Sequence, residues 1–216
     1  MKKSNEYRAI ARENLAGRWG EAAVMSLIVV GLALFFNVTP ALVGSDPALR
    51  LSLNGAGFAV TLLLLAPLEF GMFNSVLSVI RKEENDTMTG MMFKFFSGDY
   101  ARYVIAMVLQ TVIIAVLSVL TLGIAGIIFS YAYKMVPFLL RDYPELSAKE
   151  ALKLSREMMR GAKWDLFVLD LSFIGWYILG VLTCGILFLW VTPYIYMAEA
   201  SFYEDLKNES IVEENV

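Results

Sequence analysis

Histidine is absent from this 216-residue chain. Its absence removes the usual metal ligand, the usual general base and any histidine-centred nucleophilic triad. Cysteine occurs once, at Cys184, which excludes an internal disulfide and a thiolate-clustered metal site. That cysteine sits inside an apolar run, the setting of a small packing residue rather than a reactive thiol. Charge is scarce too: 18% of residues are Asp, Glu, Lys or Arg, against about a quarter in an ordinary soluble domain. No basic tract interleaved with aromatics is present, so nucleic acid is not expected as a partner. Nor does any glycine-rich phosphate loop, nucleophile elbow or metal-spaced motif occur. These absences leave no catalytic residue, cofactor or metal to nominate, and the chain is read as not being an enzyme.

Hydrocarbon takes the place of charge. Apolar residues make up 58% of the chain, mean hydropathy is +0.61, and the excess lies in long runs. About 20 mainly apolar residues cross the hydrocarbon core of a bilayer. Six runs qualify, at about 22–42, 56–80, 103–120, 122–140, 165–182 and 185–203, the second interrupted by Pro67, Glu69 and Gly71. Only Thr121-Leu122-Gly123 divides the third from the fourth, and only Thr183-Cys184-Gly185 the fifth from the sixth. Gly123 and Gly185 are free to take positive φ, so each pair reads as an antiparallel hairpin. Lys2 and Lys3 imitate the start of a secretory signal. However, Pro40 and Asp46 follow the first span instead of a small-residue cleavage motif, so the first span is read as uncleaved.

One grammar marks three entries into these runs: an amphipathic segment, a glycine, then an aromatic. The pairs are Gly17 with Trp19, Gly98 with Tyr100, and Gly161 with Trp164. The segments before them, about 4–16, 86–97 and 147–160, read as short interfacial helices. Ser147-Ala-Lys-Glu150 fits a capping box, and Lys153 with Glu157 forms an i,i+4 pair. The apolar faces (Tyr7, Ile10, Ala11 and Leu15; Met88, Met91, Met92 and Phe95; Ala151, Leu152, Ser155, Met158 and Met159) are expected to lie on hydrocarbon, with the cations toward anionic headgroups. The Met88–Met92 run is also open to reading as a partner-binding face. Sixteen of the 18 lysines and arginines fall in the N-terminal segment, the 81–102 and 141–164 connections, and the tail; only Arg50 falls on the other side, and Lys134 within a span. The positive-inside rule then puts both termini in the cytoplasm. The expected fold class is all-α: a polytopic bundle of six spans, one integral membrane domain over 1–216, arranged as three hairpins joined by interfacial helices. The lipid bilayer is its first partner, and a protein partner or a homo-oligomer is open.

Val119-Leu-Thr-Leu-Gly-Ile124 and Val181-Leu-Thr-Cys-Gly-Ile186 agree at five of six positions, which suggests an internal repeat of the kind common in membrane folds. Arg141-Asp142 closes one copy and Glu204-Asp205 lies just beyond the other. The C-terminal part also carries Ser155-Arg-Glu-Met158, Gly161, Lys163, Leu171-Ser-Phe-Ile-Gly-Trp176, Thr183, Gly185-Ile186, Trp190, Pro193-Tyr194 and Ala200-Ser-Phe-Tyr203. With these residues, the stretch 141–206 resembles a bacterial family of multi-pass inner-membrane proteins of unknown function (domain of unknown function 975). Ala11-Arg-Glu-Asn-Leu-Ala-Gly-Arg-Trp19 is similar to that family's N-terminus. The layout more loosely resembles the membrane domain fused to some glycerophosphodiester phosphodiesterases. The resemblance implies a polytopic protein of the bacterial plasma membrane and carries over no activity.

Ionisable residues inside spans are the candidate site, because charge in hydrocarbon needs a partner or water. Four qualify: Glu69, Lys134, Asp170 and Glu199, with Asn74 as a polar neighbour on the second span. From the helical rise, Lys134, Asp170 and Glu199 lie roughly 9, 8 and 6 Å inside the cytoplasmic ends of their spans, so they share a layer. Two readings stay open for it: structural pairing or snorkelling, and a path for a substrate, ion or proton. Glu69 sits near mid-span beside Pro67 and Gly71, where a missing backbone bond can kink the helix and open a polar cavity. It too reads equally as a functional polar site or as a packed residue. Tyr131, Tyr133, Tyr194, Tyr196 and Trp190 suit either interface anchors or the lining of a cleft. The leading expectation is a non-enzymatic membrane scaffold or envelope-associated protein. The alternative is a small transporter or channel component using the polar residues.

Overall fold

The computed structural model describes residues 1–42, 47–83, 87–94 and 100–214, with the side chains of a few further positions outside the description. Asp46, Phe95 and Gly98 lie outside the described residues, as do the side chains of Pro40 and Arg50. Among the described residues the chain is all-helical, with no strand. In order, the helices are α1 (Ser4–Leu15), α2 (Trp19–Leu42), α3 (Pro47–Val60), a π turn (Thr61–Leu65), α4 (Ala66–Arg81), α5 (Met88–Phe93), α6 (Tyr100–Leu120), α7 (Ile124–Ala132), α8 (Val136–Asp142), α9 (Ala148–Met158), α10 (Lys163–Leu171), α11 (Ile174–Leu182) and α12 (Phe188–Glu214).

Among the described residues, five stretches are long and apolar enough to cross a membrane: Trp19–Phe36, Gly55–Arg81, Tyr100–Leu120, Ile124–Asp142 and Lys163–Leu182. They coincide with the first five expected spans. The sixth, 185–203, falls in α12 and is not among them. Its position explains why. α12 packs against α1, α2 and α4 at the centre of the bundle, and Met197, Ala198, Glu199, Ala200, Phe202 and Tyr203 are buried. A helix surrounded by protein need not be uniformly apolar, so α12 carries Pro193, tyrosines and Glu199 where a peripheral helix carries leucine and isoleucine. The outer helices show the complement: Leu122 is 96% exposed, and Val119, Leu120, Ile124, Val181, Leu182 and Ile186 stand free. An apolar surface of that extent suits hydrocarbon rather than water.

Four glycines take the left-handed conformation the hairpin reading requires: Gly17 (φ 80°), Gly123 (φ 93°), Gly161 (φ 92°) and Gly185 (φ 89°). The two tight turns are conformational copies. Leu122 and Cys184 precede their glycines at φ 52° and 51°. Gly123 N–H donates to Ser118 O at 2.7 Å and Gly185 N–H to Gly180 O at 2.9 Å. Thr121 Oγ1 accepts from Ala125 N–H, and Thr183 Oγ1 from Leu187 N–H. The closest contact across each turn is made by equivalent positions with the sizes exchanged: Gly126 receives Ser118, whereas Gly180 receives the Phe188 ring. The repeat seen in the sequence is therefore also a repeat of backbone and packing.

The fourth and fifth expected spans are each broken once. Between α7 and α8, Pro137 has no N–H to offer Tyr133 O, which instead accepts from Val136 N–H at 3.2 Å. Between α10 and α11 the Ser172 carbonyl leaves the helix and accepts from Arg8 Nη1 at 3.0 Å. The proline expected to disturb the second span acts one turn earlier. Pro67 frees the carbonyl of Leu63, which lies in the π turn and accepts from the Tyr100 hydroxyl.

The short helices differ from expectation in what covers them. Tyr7, Ala11 and Leu15 of α1 are buried against α12, Met88, Met91 and Met92 of α5 lie on α4 and α2, and Ala148, Ala151, Leu152 and Ser155 of α9 lie against α6 and α8. Their apolar faces are sealed by protein rather than laid on lipid, and the methionine face is not free for a partner. Gly71 sets the closeness of α4 and α5: a Cβ there would lie 2.1 Å from the Met92 carbonyl oxygen. The capping box forms as expected, with Ser147 N–H donating to Glu150 Oε2 at 2.8 Å. Trp19 and Tyr100 open α2 and α6, and Trp164 is the second residue of α10.

Candidate functional site

Each break in the outer helices lies beside one of the charges expected inside the apolar runs. Lys134 sits in the non-helical step between α7 and α8, and Asp170 precedes the step between α10 and α11. Glu199 projects from the uninterrupted α12, and Glu69 from the first turn of α4, just after the π turn. Lys134 Nζ lies 2.9 Å from Glu199 Oε1; the lysine side chain is 33% exposed and the glutamate 1%. Asp170 faces the same lysine and the Tyr131 hydroxyl, and Glu69 also faces Lys134. Tyr196 stands near both Glu69 and Glu199. Among the described residues, Glu199 Oε2 and Asp170 Oδ1 are buried without a hydrogen-bond partner.

The expected layer of Lys134, Asp170 and Glu199 is thus brought together, with Glu69 as a fourth member. Three carboxyl groups share one amine. If all were ionised, the layer would carry a net negative charge in an apolar bundle, an arrangement that a bound proton or cation relieves. Asn74 does not join the layer. Its side-chain amide donates to Phe70 O at 2.8 Å within α4, and its own carbonyl accepts from Arg141 Nη1 at 2.5 Å. Three of the aromatic candidates pack inside the bundle: Tyr196 stacks on Phe73 with centroids 4.1 Å apart, Tyr194 meets Trp19 and Phe173 edge-on, and Tyr133 is buried, whereas Tyr131 faces Asp170 and Trp190 is exposed.

A second cluster, absent from the sequence expectations, ties the ends of α4 and α8 to α12. Asp142, whose side chain is 4% exposed, accepts from Arg81 Nη1 and Nη2 at 2.6 and 2.7 Å, from the Tyr203 hydroxyl at 2.8 Å and from Lys207 Nζ at 2.5 Å. Arg81 also donates through Nε to Glu204 Oε1 at 2.7 Å. The neighbouring Arg141 holds Ser78 and Glu83. Asp142 and Glu204 are separated by the same offset as Gly123 and Gly185, so one arginine bridges the equivalent acids of both repeats. That shared offset was the only trace of the cluster in the sequence.

The two ends of the chain close beside it. The N-terminal ammonium lies 2.7 Å from Glu209 Oε1. The Tyr7 hydroxyl donates to Asp205 Oδ2 at 2.9 Å, and burial, reinforced by that bond, pushes the phenol well above its usual range.

A family model described as "Protein of unknown function (DUF975)" matches residues 91–210, more than half of the chain. The chain belongs to this family. In this DUF975 protein the matched stretch holds both repeated hairpins, Lys134, Asp170 and Glu199, and the acids Asp142 and Glu204; Glu69, Asn74 and Arg81 lie before it. No curated protein and no solved structure matches the chain. The family match lends nothing to the looser likeness to the membrane domain of glycerophosphodiester phosphodiesterases. Among the described residues there is no group of three or more Cys, Asp or Glu side chains disposed to hold a metal ion.

Proposed function

We propose that this DUF975 protein is a non-enzymatic integral protein of the bacterial plasma membrane. In this reading it has six spans, α12 being the sixth, with both termini cytoplasmic, and it acts through lipid and through a protein partner or a second copy of itself. The observation that carries the topology is the contact between the chain ends, Met1 ammonium to Glu209 at 2.7 Å. Ends that touch lie on one side of a bilayer, which requires an even number of crossings. The knot of Arg81, Asp142 and Tyr203 supports the same count, because it ties the ends of two candidate spans to α12 at one level. The concentration of 16 of the 18 lysines and arginines on that side supports its being cytoplasmic.

A second reading, a transporter or channel component, is favoured by the layer in which Glu69, Asp170 and Glu199 surround Lys134 beside two helix breaks. Discontinuous helices are where transporters place ion sites. Reconstitution in proteoliposomes separates the readings. The first expects neither lipid turnover nor cation or proton flux from the purified chain. Lipid hydrolysis contradicts it, and a flux that Glu69→Gln abolishes without loss of folded protein moves the assignment to the second.

A further inference from the structure

A cavity of about 160 Å³ opens between α7, α9 and α10, lined by Ile128, Phe129 and Ala132 on one wall and Arg156, Arg160 and Lys163 on the other. Among the described residues none of the three cations forms an ion pair, and no carboxylate lines the cavity. Two acids close in sequence lie elsewhere: Glu157 is drawn toward Lys153, and Glu157 and Asp165 line a neighbouring cavity with Met1 and Glu209, which Arg160 borders as well. The apolar wall continues along α7 as an exposed strip of Ile124, Ile127 and Ile128, and Trp164, the residue after Lys163, is 69% exposed. The wall is held in place from behind, where the Ser155 hydroxyl donates to Ala132 O at 2.8 Å and so ties α9 to the end of α7.

We propose that this cavity binds the phosphodiester headgroup of an anionic phospholipid, with the acyl chains running along the exposed strip of α7. Each part of that ligand meets its chemical complement. A phosphodiester is a delocalised monoanion that two guanidinium forks and an ammonium can surround. The chains leaving it need an apolar track, and the tryptophan suits the headgroup boundary. Basic recesses between spans on the cytoplasmic side are where such headgroups are held. A free phosphate offers the same oxygens but gains nothing from the isoleucine strip. The proposal rests on the membrane reading above and adds to it a defined site: α9 meets lipid through its cations at one recess, not through its buried apolar face.

The test uses the full chain purified in mild detergent, incubated with phosphatidylglycerol and phosphatidylcholine, and read by native mass spectrometry. The wild type is expected to retain phosphatidylglycerol in preference to phosphatidylcholine. Arg156→Gln, Arg160→Gln and Lys163→Gln should each weaken that retention about fivefold, and the triple variant should lose the preference. A control with Lys149→Gln and Lys153→Gln, on the exposed face of α9, should keep it. Size-exclusion profiles confirm that the variants stay folded. Equal retention of the two lipids by the wild type, or undiminished preference in the triple variant, overturns the proposal. So does displacement of the lipid by millimolar inorganic phosphate, which would assign the recess to free phosphate. The membrane reading is checked separately by alkaline carbonate washing: a wild type stripped from the bilayer fails that reading, whereas a triple variant that stays embedded without lipid preference leaves it intact.

Discussion

Asp142 receives two guanidinium nitrogens, an ammonium and a phenol while almost sealed from solvent. Breaking such a set from one side leaves the partner charges uncompensated, which costs about 3–5 kcal/mol. Asp142→Ala is therefore expected to lower the unfolding midpoint of the detergent-solubilised protein sharply, whereas Lys153→Ala, whose exposed pair spans 4.0 Å, should change it little. The Lys134–Glu199 pair allows a finer test. Lys134→Met alone strands the buried Glu199, again at about 3–5 kcal/mol, and adding Glu199→Leu should recover part of that loss, whereas Glu199→Leu alone should cost less because Asp170 and Glu69 still face the lysine. A thermal-denaturation double-mutant cycle reads the coupling. If the layer only glues helices, the recovered double variant also keeps the biological role; if it carries protons or ions, stability returns and the role does not.

At the scale of elements, the fold depends on close approach and on turns. Gly71→Val drives a side chain into the Met92 carbonyl oxygen, 2.1 Å from where the Cβ would lie, so α4 and α5 must separate. The expected result is loss of monodisperse protein on size exclusion. Gly20→Ala, with nothing within 4 Å, should be neutral or gain up to about 1 kcal/mol of helix propensity. The α9 cap titrates. Bonds from the Ser147 hydroxyl and then its backbone N–H hold the Glu150 carboxyl below its ordinary range. A lowered folded-state value means that the cap's contribution is complete above the unfolded value and is lost as pH falls through the folded one. Ser147→Ala should move the carboxyl titration back up, as followed by carbon NMR.

These elements differ in how far the sequence exposes them. Gly17, Gly123, Gly161 and Gly185 are legible because a left-handed turn is a property of one residue, and the capping box is legible because its partners are three apart. The break at Lys134 has a local sign in Pro137. The break at Ser172 has none, since the carbonyl it frees is taken by Arg8, far away in the chain. Equally hidden is the burial of Met88, Met91 and Met92, because an apolar face looks the same whether lipid or α4 covers it.

For the whole molecule, the charged layer was readable from depth alone: equal distances from the span ends bring Lys134, Asp170 and Glu199 together once the hairpins stand side by side. The Arg81–Asp142–Glu204 knot was not, because it depends on which helices are neighbours. Hydropathy marks 185–203 as a span but hides the central position of α12, which allows it the polarity that the outer helices lack. The central claim is that this helix completes six crossings and returns the chain to the side on which it began. In a Cys184→Ala background, single cysteines at Lys3 and Asn208 are challenged with a membrane-impermeant maleimide in intact cells and after permeabilisation. Both positions are expected to label only after permeabilisation. Labelling of one end from outside while the other stays protected means an odd number of crossings and contradicts that claim.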